Sequence, residues 1–132
     1  MKKLLLLLLF IPFVFTSCSD DDPLIAYTVE GKWLWSPDSY DRTYANTMYE
    51  FEDGNVYTSY ANCGSAGNLC TDADFNALNT TDRIPGVEAY TFDEDDTLIW
   101  DEISNLISFE CNGGIILFEN GRKLWRLSSE CN

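Results

Sequence analysis

The stretch "YEFEDGNVYTSY", residues 49–60, restricts the possible folds more than any other part of the chain. Large and polar residues alternate on both sides of Asp53-Gly54, a pair suited to the positive φ angles of a two-residue hairpin turn. Counting outward from that turn sets Phe51 opposite Val56 and Tyr49 opposite Thr58 on one face. Glu50 and Glu52 fall on the other. The pattern returns in "ISFECNGGIILFENGRKLWRL", residues 107–127, with turns at Asn112-Gly113 and Asn120-Gly121. Two-residue turns at both places predict Ile107, Phe109, Ile116, Phe118, Trp125 and Leu127 on one face as a core set. Ile115, Leu117, Leu124 and Arg126 are then expected on the reverse face, with Glu110 and Arg126 flanking Ile115.

Extended along the chain, the alternation predicts eight strands, at 27–36, 46–52, 55–61, 86–92, 97–102, 104–111, 114–119 and 122–128. Nearly all the connections are short, so sequential strands are expected to pair up and down. The exception is 62–85, where Thr71 or Asp72 can cap one or two helical turns with Phe75 and Leu78 facing inward. The expected fold is all-β: an eight-stranded up-and-down antiparallel barrel with a short helical insertion between strands 3 and 4. A two-sheet sandwich is the rival.

The N-terminus does not belong to that domain. Lys2 and Lys3 precede an apolar run, Leu4 to Phe15, that is shorter than the roughly 20 residues a spanning helix needs. A basic start, a short apolar stretch and then small residues are the layout of a secretory signal peptide. The segment ends Val14-Phe15-Thr16-Ser17-Cys18 and resembles the lipobox of bacterial lipoproteins. That resemblance implies cleavage after residue 17, acylation of Cys18 and a lipid anchor in the outer membrane. Ordinary secretion, with Cys18 free or bridged, is the alternative. Residues 18–26, which include Ser19-Asp20-Asp21-Asp22-Pro23, read as a short acidic tether. They resemble the acidic export signals that follow the lipidated cysteine in surface lipoproteins of one Gram-negative group. Residues 27–132 are left for the domain.

Cleavage removes two of the eight basic residues and leaves six against 22 acidic ones, a net charge of −16. A field of that sign repels nucleic acid phosphates and anionic head groups, which excludes nucleic-acid binding and sets the domain off the membrane. With Cys18 assigned to lipid, Cys63, Cys70, Cys111 and Cys131 remain. An even number of cysteines in an exported chain reads as two disulfides, with three connectivities open. The strand register brings Cys111 and the tail bearing Cys131 to one end of the sheet. That favours Cys111–Cys131, and with it Cys63–Cys70. Zinc is disfavoured by the spacing of these cysteines and the lack of histidine.

Gly31-Lys32-Trp33 in the first strand, Arg126 near the end of the last, and "YEFEDG" together resemble the lipocalin superfamily. They resemble more closely the short lipocalin-like domains of bacterial surface lipoproteins. The likeness runs from about Val29 to Leu127. It implies that Gly31, Trp33 and Arg126 close one end of the barrel, the arginine packing over the tryptophan. It also implies a small hydrophobic ligand in the barrel mouth. Candidate lining residues are Trp33, Trp35, Tyr49, Phe51, Trp100, Phe109 and Trp125, with Phe75 and Leu78 as a lid. An eight-stranded interior can instead be filled by its own side chains, leaving the outer surface to meet a partner.

No catalytic residues stand out. The chain lacks histidine, all its cysteines are accounted for, and it has no glycine-rich phosphate loop. Asp93-Glu94-Asp95-Asp96 suggests calcium by its oxygen content, but acids this closely spaced and without a glycine read better as a solvated turn. No metal or other cofactor is expected.

Overall fold

The computed structural model describes residues 26–38, 40–63 and 69–132. The signal segment, Cys18 and the tether as far as residue 25 lie outside them. Eight strands form a closed antiparallel barrel in chain order, each paired with its sequence neighbours and the last with the first. They are β1 (Gly31–Trp35), β2 (Thr47–Glu52), β3 (Asn55–Tyr60), β4 (Glu88–Phe92), β5 (Thr97–Trp100), β6 (Ile103–Glu110), β7 (Ile115–Phe118) and β8 (Lys123–Arg126). One short helix, α1 (Asp72–Asn76), lies between β3 and β4. Closure, the buried core and both disulfides fall within residues 29–132.

Turn chemistry sets the register. Asp53 and Gly54 both take positive φ, 49° and 79°, and the hairpin pairs Phe51 with Val56 and Tyr49 with Thr58, as the alternation predicts. Asn112-Gly113 is a second two-residue turn, with Phe109 opposite Ile116 and Ile107 opposite Phe118.

Asn120-Gly121 behaves differently. Gly121 N–H donates to the Phe118 carbonyl at 2.8 Å, Phe118 N–H donates to the Arg122 carbonyl at 2.9 Å, and Gly121 sits at φ 84°. This is a three-residue loop, Glu119 to Gly121, with glycine in the left-handed position. The extra residue shifts β8 by one, so Ile116 faces Leu124 and Ile115 faces Trp125. A one-residue slip exchanges the faces of a strand. Leu124 therefore enters the main core, whereas Trp125 packs outside with Ile115 and Cys131. Leu127 joins the outer wall, Arg126 turns toward the barrel end, and Lys123 is the residue that reaches Glu110, at 3.1 Å.

A smaller correction concerns β5 and β6. The turn between them is Asp101-Glu102, both at positive φ, 49° and 65°. β5 thus ends at Trp100, and Ile103 opens β6. Neither residue is a glycine, so no sequence signal marks this turn.

Both disulfides form as expected: Cys63–Cys70 with Cα atoms 5.0 Å apart, and Cys111–Cys131 at 6.1 Å. The latter ties the β6–β7 turn to the C-terminal tail.

The core has two parts. Inside the barrel, Val29, Trp33, Phe51, Val56, Tyr90, Leu98, Ile107, Ile116, Phe118 and Leu124 are buried together. On the outer face of β1 and β2, Leu34, Ala45 and Met48 are buried under Phe75 of α1, with Leu78, Cys70, Ala61 and Leu127 around them. Thr71 is the N-cap of α1, and the Asp74 carboxylate accepts from its N–H and hydroxyl, both at 2.7 Å. Arg42 bonds Asp72 at 2.6 Å from one side, and Ser128 N–H donates to the same carboxylate at 3.1 Å from the other. The helix is therefore fastened to the barrel wall. It is not a lid over the mouth.

Candidate functional site

The two barrel ends are built differently. At one end, Arg126 lies 4.2 Å over the Trp33 ring and donates to three carbonyls: Thr28 at 2.8 Å, Glu30 at 3.0 Å and Gly113 at 3.2 Å. Trp33 in turn donates its indole N–H to the Val29 carbonyl at 2.6 Å. Position 31 is glycine for two reasons: its φ is 117°, and a Cβ there would stand 2.9 Å from Arg126 Nη1. Gly31, Trp33 and Arg126 thus lock the N-terminal segment across this end. The Tyr90 hydroxyl adds a bond to the Glu30 carboxylate. Burial, followed by that bond, pushes the Tyr90 phenol up to about 12. Burial alone pulls the Arg126 guanidinium down.

The opposite end is open. Tyr49 meets Trp100 edge-on at 4.7 Å, and Trp100 meets Phe51 at 5.2 Å. Around them, Glu88, Asp101, Ile103, Asn105, Phe118 and Arg122 complete a recess of about 210 Å³. Trp100 donates its indole N–H to Glu88, and Arg122 sits 5.3 Å over the Phe118 ring. Burial raises the Tyr49 phenol, while the charge of Arg122 pulls it the other way.

Of the expected lining residues, Trp33, Trp35, Tyr49, Phe51, Trp100 and Phe109 belong to the interior cluster. Only Tyr49 and Trp100 line the mouth recess. Trp33 and Phe51 are fully buried packing, and Phe109 lies near the closed end against Tyr27 at 5.5 Å. Trp125 lies on the outside of the barrel, and Phe75 and Leu78 pack inward onto its outer wall, so none of the three lines the mouth. Glu88 and Arg122 were not anticipated. Glu88 was legible, since it alternates with Tyr90 and Phe92; Arg122 was hidden by the length of its loop.

A wider groove of about 970 Å³ runs past the closed end, between Ala26 and Tyr27 on one side and Phe92, Asp93, Glu94, Asp96, Ser108 and Phe109 on the other. The Asp93 carboxylate there accepts from the N–H groups of Asp95 and Thr97, both at 3.0 Å, as in an Asx-type turn. Among the described residues, no three histidine, cysteine, aspartate or glutamate side chains converge to hold a metal. No protein-family model matches the chain, and no curated protein or solved structure does either.

Proposed function

We propose that the chain is a lipid-anchored lipoprotein of the bacterial outer membrane, acylated at Cys18 and surface-exposed. On this reading the barrel is a structural or protein-interaction module, not an enzyme. The observation that carries it is the filled interior: Trp33, Phe51, Leu98, Ile116 and Leu124 are all at most 1 % exposed, the mouth recess measures about 210 Å³, and the groove of about 970 Å³ past the closed end is lined by none of these residues. Ligand pockets for drug-sized molecules typically start near 300 Å³. The lipobox-like Val14 to Cys18 and the acidic tether support the anchor and its surface address.

A second reading has one observation in its favour. Tyr49 and Trp100 present aromatic walls beside Glu88 and Arg122, which suits a small, mostly apolar ligand at the mouth. Native mass spectrometry of residues 19–132, made in an oxidising compartment, separates the two. The bare mass is expected, and a retained small molecule would move the function to ligand binding, at the mouth recess or in the closed-end groove. The anchor is tested by Cys18→Ser. That variant is expected to leave the membrane fraction, and its persistence there would remove the lipid from the proposal.

A further inference from the structure

The outer face of β4, β5 and β6 differs from the rest of this acidic surface. Its outward positions are Ala89 and Thr91, Thr97 and Ile99, and Ser104, Leu106 and Ser108, which carry no charge; Glu110, the last outward position of β6, is paired with Lys123. Register makes them contiguous: Thr91 pairs with Ile99, Ile99 with Ser104, and Thr97 with Leu106. Ile99 is 40 % exposed and Leu106 52 %. This wall is central sheet in a closed barrel, so it offers a face and no free strand edge.

Charge frames it at both ends. From residue 84 to residue 121 the sequence has acidic residues but no lysine or arginine. Asp93, Glu94, Asp95 and Asp96 form the turn at one end of β5, and Asp101 and Glu102 the turn at the other. The ion pairs among the described residues involve Lys32, Arg42, Arg83 and Lys123 and none of these six acids. Two acidic turns that make no ion pair, one of them sharing the mouth recess with Arg122 through Asp101, thus bracket a neutral, partly apolar strip. A second copy of the chain would bring like charge against like. An anionic membrane would do the same.

We infer that this wall is a docking face for a basic amphipathic helix of a partner protein, with an apolar stripe that covers Ile99 and Leu106 and lysine or arginine at each end. The inference rests on the protein-interaction reading above. The molecule supplies its own precedent: the β1–β2 wall is covered by a helix that inserts Phe75. Distance sets the partner's size. The four residues of β5 span about 14 Å at roughly 3.4 Å each. About nine helical residues cover that length at 1.5 Å each, so basic groups two to three turns apart would reach the two acidic turns.

The test uses residues 19–132 and a fluorescent helical peptide with a leucine stripe and two lysines at each end. Saturable binding is expected, weakened by salt and reduced about tenfold or more by Leu106→Arg and by Ile99→Ser with Leu106→Ser. Circular dichroism checks that these variants keep the fold. Equal binding by wild type and variants overturns the inference. So does equal binding of a peptide with serine in place of leucine, which would reduce the effect to bulk charge. Self-association, or binding to phosphatidylglycerol vesicles, that Leu106→Arg abolishes would also overturn it, by assigning the wall to a second copy or a membrane. Native mass spectrometry keeps the two levels apart. A retained ligand removes the interaction reading, whereas a bare mass with no peptide binding removes only the docking face.

Discussion

The barrel has two apolar outer walls with different fates. On β1 and β2, Leu34 and Met48 point out of the barrel and are nevertheless buried, because the chain folds residues 69–85 back over them and sets Phe75 against them. On β5 and β6, Ile99 and Leu106 also point out, and no described part of the chain covers them. Alternation alone would assign both walls to solvent. The contrast teaches that an outward apolar residue stabilises the fold only where the chain supplies a cover. Where it does not, the residue contributes little to stability and is available for contact.

The most severe challenge to this contrast is Phe75→Ala. Truncating a fully buried phenylalanine costs about 3–5 kcal/mol, and denaturant unfolding of residues 19–132 should show a loss of that order. A loss below about 1 kcal/mol would mean that the cover is dispensable and the walls equivalent.

The next test concerns the closed end, which both walls share. Tyr90 is raised above its unfolded value of 10 to about 12, so the stability it lends is complete below pH 10 and is lost as the pH climbs through 12. Tyr90→Phe should flatten the stability profile across that interval relative to wild type. An unchanged profile would place the alkaline sensitivity elsewhere.

Smaller effects sharpen the comparison. Arg42→Met removes the pair that pins α1 to the covered wall and should cost about 1 kcal/mol, the range of a part-exposed ion pair. Faster amide exchange confined to residues 69–85 would localise the effect. On the other wall, Glu102→Gly relieves a left-handed backbone at φ 65° and should raise stability by about 0.5–1 kcal/mol. Leu106→Ser should change stability least, by about 0.5 kcal/mol or less. A larger loss would show that the exposed wall is part of the core after all.

Much of this architecture was legible before any coordinates. Asp53-Gly54 and Asn112-Gly113 each fixed the register of a hairpin, because their residues accept the positive φ that a two-residue turn requires. Residues that accept positive φ are also what a three-residue loop uses, and so Asn120-Gly121 misled. Its single extra residue moved Trp125 out and Leu124 in. Asp101-Glu102 gave no warning, because its left-handed angles are imposed by the strands on either side.

A family resemblance implied the meeting of Trp33 with Arg126; by itself the sequence determined the eight alternating segments and their up-and-down order, and it favoured the observed cysteine pairs. Those follow from local rules: period two, turn residues and short connections. Only the tertiary structure decided which way β8 faces, that α1 packs on a wall and not over the mouth, and how full the interior is. Each of these depends on a one-residue register or on side-chain volumes meeting across the barrel. Neither quantity is encoded in a local pattern, because both arise only when distant strands close on one another.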